Sequence, residues 1–294
     1  MRSHFLHPTS LLAPFVEAYV DFRLRSEEAS GVAYREHRLL PAPGTSIAVG
    51  YGETKGYTQI EGGPVREVPA CAASGYWTRP KTYRLLPPGG VFIVCFKPWG
   101  LARFTRLPIA ELTDQSIGLE HAFSRDLAME LQERVVACHS VAERKEVVEE
   151  ILLRILAAAE RSDRIDILPK GAERAVGLIA QTGGTIRVDD LAEEFGYGRK
   201  RLDRMFQKEI GWSPKKICRI IRFQHALRTL PQVTSLAEAA YELGYFDQAH
   251  FIREFRELSG RTPGDYLRTH QRTDIGRGYN RVIRSSHLYN TVYE

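Results

Sequence analysis

A chain of 294 residues, 43% hydrophobic and 26% charged, is long enough for two domains and a sizeable core, which excludes global disorder. No apolar run approaches the roughly 18 residues that a membrane span requires, so no membrane partner is expected. The opening MRSHFLHPTSLLAPF has only a short apolar stretch, broken by Pro14, and lacks a signal-peptide pattern, so a cytoplasmic protein is expected.

In chain order, residues 1–115 are rich in Gly, Pro and short β-like runs. Leu11–Phe22 is predicted as an early helix with Pro14 in its first turn. Ser46-Ile47-Ala48-Val49 and Val91-Phe92-Ile93-Val94-Cys95-Phe96 are the clearest strands, preceded by PAPG and PPGG. Residues 109–119 read as a loop. Leu119, Phe123, Leu127, Leu131 and Val135, then Val147, Ile151 and Ile155, recur at helical spacing and predict two helices, roughly 120–138 and 141–160. Their apolar stripes serve either the core of the first half or a homodimer interface. RSDRIDILPK (161–170), polar and holding Pro169, is the expected linker. From 170 onward the pattern is helical: 172–180, ended by Gly183-Gly184, then 188–195 and 199–210. A long helix follows, capped by Ser213 with Pro214 in its first position and running to Leu230. Helices over 235–243 and 247–258 precede a closing helix from Thr262-Pro263 to Arg268. The tail 271–294, with Arg272, Arg277, Arg281 and Arg284, shows no periodicity.

Within the helical half one pattern occurs twice. Leu191-Ala192 matches Ala239-Ala240, Phe195 matches Leu243, and Gly196-Tyr197 matches Gly244-Tyr245. After one extra residue in the second copy, Leu202, Arg204 and Phe206 match Phe251, Arg253 and Phe255. Gly211 and Pro214 then match Gly260 and Pro263. Each copy reads as a short helix, a Gly-containing turn and a second helix, the layout of a helix-turn-helix whose second helix enters the DNA major groove. The apolar matched positions lock each pair of helices, and Gly196 and Gly244 stand where a turn needs positive φ.

The charge agrees with this. From Lys170 onward 21 Lys and Arg stand against 15 Asp and Glu; before it, 20 stand against 21. A basic surface attracts a phosphate backbone. On the second helices the outward residues are Arg199, Lys200, Asp203 and Arg204 in the first copy, and Asp247, Gln248, His250 and Arg253 in the second. Arginine reads guanine in a bidentate manner and glutamine reads adenine. Asp203 either accepts from a cytosine amino group or orients Arg199, and His250 either faces DNA or packs beside the turn. Arg201, Lys208, Lys215 and Lys216 are expected at phosphates, where contacts position without specifying sequence.

These residues resemble the DNA-binding domain of the AraC/XylS family of bacterial transcription regulators over about a third of the chain, 170–270. The most specific piece is AAYELGYFDQAHFIREFRELSGRTPGDY (239–266), with small residues, a Gly-aromatic turn, then F-x-x-x-F, G and P at fixed offsets. The resemblance implies two helix-turn-helix units held on one long helix, reading successive major-groove segments about 10 bp apart. It implies Lys200, Asp203 and Arg204 at base-facing positions of the first unit, and Gln248, Ala249 and Arg253 in the second. Ala249 is too small for polar readout but suits a thymine methyl. Gly198 stands where the family often has a capping serine, which predicts a less firmly started helix. LLPAPGTSIAV (39–49) and FIVCFKPWGLARFTRLPIAELTDQSIGLEHAF (92–123) resemble the regulatory domain of one branch of the family. Trp99 replaces a common glycine there.

The expected fold class is α+β. A β-rich regulatory, sensing or dimerisation domain with trailing helices spans 1–160, followed by the linker 161–170. An all-α tandem helix-turn-helix domain spans 171–270, and a tail spans 271–294. The expected function is a sequence-specific DNA-binding regulator, activator or repressor, responding to a small-molecule effector through the first half. The alternative is a constitutive or partner-controlled regulator whose first half only dimerises. Double-stranded DNA is the expected partner, with RNA polymerase implied by the resemblance. Candidate effector-binding residues are Tyr76, Trp77, Phe92, Phe96 and Trp99 for aromatic area, and Arg79, Lys97 and Arg103 for an anion. No cofactor or metal is expected: Cys71, Cys95, Cys138 and Cys218 form no CxxC pair. An enzyme is not expected. DNA-repair enzymes that carry the same domain need a Pro-Cys-His-Arg string, absent here, and no P-loop, GxSxG, HExxH or GxGxxG occurs.

Overall fold

A computed structural model describes residues 2–24, 36–86, 88–161 and 170–270. The first half contains two antiparallel sheets. One has the order β1-β2-β9-β4-β7-β10, built from Arg2–Leu6 (β1), Val16–Leu24 (β2), Thr45–Gly52 (β4), Cys71–Ser74 (β7), Gly89–Phe96 (β9) and Ser116–Gly118 (β10). The other has the order β3-β8-β5-β6, from Glu36–Leu39 (β3), Lys55–Ile60 (β5), Val65–Val68 (β6) and Lys81–Leu86 (β8). The two expected strands lie inside β4 and β9, which pair with Ile47 opposite Val94 and Val49 opposite Phe92. Side chains alternate across a sheet, so Ile47, Val49, Phe92, Val94 and Phe96 share one buried face.

That face is covered by the helices Leu119–Ala122 (α1), Arg125–Ala137 (α2) and Val141–Glu160 (α3). Leu131, Val135, Val148, Ile151 and Leu152 bury themselves against it, and a small apolar cavity of about 10 Å³ remains between Ile47, Val94, Leu127 and Ile155. The apolar stripes of 119–155 thus serve the intramolecular core. A dimer role would fall to what they leave exposed, Met129 and Val136.

Three expectations need correction. The helix predicted over Leu11–Phe22 is absent. Thr9 to Val16 form turns closed by Ala13 N–H to Thr9 O and Val16 N–H to Leu12 O, and β2 begins at Val16. Tyr19, Val20 and Phe22 are β-favouring residues that pair with both β1 and β9, and Val16 pairs with β9, so tertiary pairing overrides the local apolar pattern. The loop expected over 109–119 contains a 3-10 turn, Ile109–Leu112, and β10. The helix expected over 120–138 is split, because Phe123 is extended and Ser124 starts a new helix, accepting from Leu127 N–H. The linker, apart from Arg161 and Lys170, and the tail 271–294 lie outside the described residues.

The second half is helical: Lys170–Gln181 (α4), Val188–Glu194 (α5), Arg199–Glu209 (α6), Pro214–Thr229 (α7), Leu236–Glu242 (α8), Gln248–Ser259 (α9) and Pro263–His270 (α10). Ser213 caps α7 by accepting from Lys216 N–H, with Pro214 at its first position as expected. Ile217, Ile220, Ile221, Phe223, Ala226 and Leu227 make α7 buried on nearly every side, the property of a helix that forms the centre of a domain.

Among the described residues, several contacts join the halves. The Trp212 ring lies 4.6 Å from that of Tyr76, and its Nε1 donates to Thr113 Oγ1 at 3.0 Å. Gln224 on α7 donates to the Pro41 carbonyl. Arg38 donates to the Ser259 carbonyl at the end of α9 and to Glu61. Gly211 is required at the first contact, since its φ is +83° and a Cβ there would stand 2.6 Å from the Ala110 nitrogen.

Candidate nucleic-acid interface

The repeated pattern folds as two similar units. In the first, Leu191 and Ala192 of α5 pack against Leu202 and Phe206 of α6, all buried. Phe195 is only half-buried; Arg174 lies 4.9 Å over its ring. In the second, Ala239, Ala240 and Leu243 meet Phe251 and Phe255. An aromatic cluster extends this contact. Phe255 lies 5.4 Å from Phe223 on α7, 5.8 Å from Phe251 and 5.6 Å from Tyr266, each pair contributing about 0.5–1.5 kcal/mol beyond area burial. Gly196 and Gly244 have φ of +62° and +68°, as the turns require.

Their helix starts differ. Asp247 caps α9, its carboxylate accepting from His250 N–H at 2.7 Å, and α8 has a full capping box. There Ser235 accepts from Glu238 N–H, and the Glu238 carboxylate accepts from Thr234 N–H. The first unit has neither: α6 starts at Gly198 with no side-chain cap, as the sequence predicts. Its first N–H groups remain open to solvent or to an anion.

A carboxylate hub sets the orientation of α9. Glu254, 8% exposed, accepts from Arg219 Nε at 3.1 Å and from Arg222 Nη2 at 3.2 Å, both on α7. Arg222 also lies 4.6 Å over the Tyr245 ring, and burial raises the Tyr245 hydroxyl well above its ordinary range. The sequence reading missed Glu254. Its signal was an acid on an otherwise apolar helical face, i+3 from the buried Phe251.

Ion pairing sorts the cations. Arg199 is held by Asp189 at 2.7 Å, so the alternative in which Asp203 orients Arg199 gives way to a partner on α5. Arg174 is held by Glu194, and Arg219 and Arg222 by Glu254. Arg201 lies over the Tyr197 ring at 4.2 Å and Lys216 over Trp212 at 5.6 Å. Lys200, Arg204, Lys208, Lys215, Arg253 and Arg256 are exposed and have no carboxylate partner among the described residues. Asp203 is half-buried, and Gln248 and Ala249 are exposed. His250 is half-buried, its ring 5.4 Å from Tyr245 and its Nε2 3.9 Å from Glu254, which is the packing alternative rather than an outward one. Arg256, missed from the sequence, lies on one face of α9 with Ala249, Ile252, Arg253 and Glu257.

The candidate effector residues are mostly core. Tyr76 and Phe96 are fully buried, and the Tyr76 hydroxyl donates to the Pro98 carbonyl. Trp99 is buried with its Nε1 donating to the Pro14 carbonyl, and Phe92 stacks on Tyr19. All four pack in the core of the first half, and aromatic content alone does not separate a pocket wall from a core. Trp77 is half-buried with the Lys81 amine 3.4 Å above its ring, and burial lowers that amine's pKa well below its ordinary value. Lys97 and Arg103 are half-buried and Arg79 is exposed. No group of metal-binding side chains is found, and no helix is long and apolar enough to cross a membrane, both among the described residues.

Comparison with known proteins places two regions. A family model described as a helix-turn-helix domain matches residues 191–269, and one described as a domain of unknown function (DUF6597) matches residues 4–118. The chain is 37% identical over 79 residues to the HTH-type transcriptional regulator GlxA of Rhizobium meliloti, covering 26% of this chain and 24% of that protein. It is 32% identical over 98 residues to the HTH-type transcriptional regulator GbdR of Pseudomonas aeruginosa, covering 33% of this chain and 27% of that protein. The match thus spans about a quarter of the length of these relatives. Among solved structures, the C-terminal domain of AraT, a response regulator from Geobacillus stearothermophilus, is 26% identical, with 35% of this chain and 87% of that chain covered and a TM-score of 0.32. The helix-turn-helix family model and the curated regulators show that residues 191–269 are a helix-turn-helix domain of the AraC type.

Proposed function

We propose that the protein is a sequence-specific DNA-binding transcription regulator whose two recognition helices, α6 and α9, read successive major-groove segments. The observation that carries this reading is the sorting of cations. The basic residues that build the domain are neutralised by carboxylates or rings, while Lys200, Arg204, Arg253 and Arg256 stand unpaired on the outward faces of α6 and α9. Lys200, Asp203 and Arg204 face bases from the first unit, and Gln248, Ala249 and Arg253 from the second. Lys215 neutralises phosphate, with Lys216 beside it and Arg199 held in reserve by Asp189.

Residues 1–160 form the regulatory half, 161–170 the linker and 171–270 the reading half, in a cytoplasmic protein. The regulatory half acts on the reading half through the Tyr76–Trp212 and Arg38–Ser259 contacts, which is what supports a response to a small-molecule effector. A homodimer and contact with RNA polymerase complete the reading. The test is binding-site selection from random DNA with the full chain. The expected result is a motif of two elements about 10 bp apart. Enrichment of no motif, or of a single element, refutes the two-helix reading.

A further inference from the structure

Phe246 is the residue that the second unit has and the first lacks. Gly196-Tyr197 aligns with Gly244-Tyr245, and the cap residue Gly198 aligns with the cap residue Asp247, which leaves Phe246 unmatched. It is 92% exposed, whereas Phe206, Phe223, Phe251 and Phe255 of the same domain are fully buried. Leaving a phenyl ring in water is unfavourable, and this one stands immediately before a recognition helix, where the first residues reach base edges.

The chemistry around it selects what it meets. Asp247 places a carboxylate at the start of α9 and occupies its cap, which disfavours a phosphate there, unlike the open start of α6. Ala249, exposed and methyl-sized, is the second residue of α9 and lies on the helix face that also carries Ile252, Arg253, Arg256 and Glu257. Two exposed apolar groups, Phe246 just before α9 and Ala249 at its second position, thus stand at the start of a helix whose outward residues include Arg253 and Arg256. A duplex presents one apolar group in its major groove, the C5 methyl of thymine.

We propose that α9 reads thymine methyl groups, with Phe246 and Ala249 as the apolar contacts and Arg253 and Arg256 fixing the helix on the DNA beside them. This rests on the DNA-binding reading above and adds the class of base that the second unit selects. The test uses the full chain and a duplex carrying a selected site, in which single thymines are replaced by deoxyuridine, removing one methyl group and nothing else. Wild-type affinity is expected to fall about fourfold for each contacted methyl, at two thymines of the second element. Phe246→Ala, at a position that supports no core, is expected to bind the thymine duplex at least fourfold more weakly. It should also lose its response to deoxyuridine at one of those thymines while keeping it at the other. Wild-type indifference to every deoxyuridine substitution overturns the inference, as does a Phe246→Ala variant that binds unchanged. In either case an enriched motif leaves the DNA-binding reading standing, whereas enrichment of no motif defeats both.

Discussion

Trp212 carries the firmest connection between the two halves, and replacing it tests that connection. The side chain is 2% exposed, packs against the Tyr76 ring at a tilt of 34° and donates to Thr113. Trp212→Ala removes a buried indole and leaves a cavity, which costs about 3–5 kcal/mol. Trp212→Phe keeps most of the ring and leaves the Thr113 hydroxyl without its donor, which costs about 1–2 kcal/mol. The assay is urea unfolding. The chain has three tryptophans, and once Trp212 is replaced the remaining two, Trp77 and Trp99, report on the first half alone. Far-ultraviolet circular dichroism near 222 nm reports mostly the helical half. Wild type is expected to unfold in one coincident transition. Trp212→Ala is expected to separate the two signals, and Trp212→Phe to lower both midpoints with the transitions still together. Coincident transitions in Trp212→Ala, with a loss below about 1 kcal/mol, would refute the view that this side chain joins the halves.

Arg253→Ala is expected to weaken binding to a selected site by about 1–3 kcal/mol and to relax preference at one base, read by repeating the selection with the variant. Lys215→Ala is expected to weaken binding about equally on all DNA and to lower the slope of log affinity against log salt by about one unit. Gly198→Ser supplies the missing cap and is expected to gain a few tenths of a kcal/mol, seen as slower amide exchange at the start of α6. Burial lowers the His225 pKa below 6.5, with Arg228 adding to the shift. The unfolded chain then binds the proton more readily, so this contribution is complete above pH 6.5 and is lost as pH falls below it. His225→Asn should flatten the thermal midpoint between pH 7 and pH 5. Burial raises the Cys71 thiol to about 12 and Cys218 to about 11. Neither is expected to react with iodoacetamide at pH 8 until the protein unfolds, as mass spectrometry would show.

The helical half was largely legible because local chemistry fixes it. Ser213-Pro214, Gly196 and Gly244 act through their own backbone, and the apolar positions of α6 and α9 repeat at the period of the helix they form. The first half was less legible because its signals are not local. Val16–Leu24 becomes a strand by pairing with Gly89–Phe96, some seventy residues away, and nothing near Pro14 announces that partner. Buried pairing likewise hid the hub: the place of Glu254 on an apolar helical face marks it as unusual, but its partners Arg219 and Arg222 come from α7, some thirty residues away. Tyr76, Phe96 and Trp99 show the converse limit, since composition measures aromatic area without saying whether it faces a ligand or the core.

The grip on both units at once has a mechanical consequence. Recognition helix α9 is bolted to α7 through Glu254 and to the first half through Arg38, while the chain leaving α6 is pinned at Gly211 and Trp212. A reader this stiff, on the function proposed here, does not flex to fit its site, so the elastic cost of fitting falls on the nucleic acid. Bending and twisting a duplex costs least at pyrimidine–purine steps and most in A-tracts. Base pairs between the two elements then enter the affinity through their flexibility, and a spacer can be tuned to strengthen or weaken a site while the contacted bases stay the same.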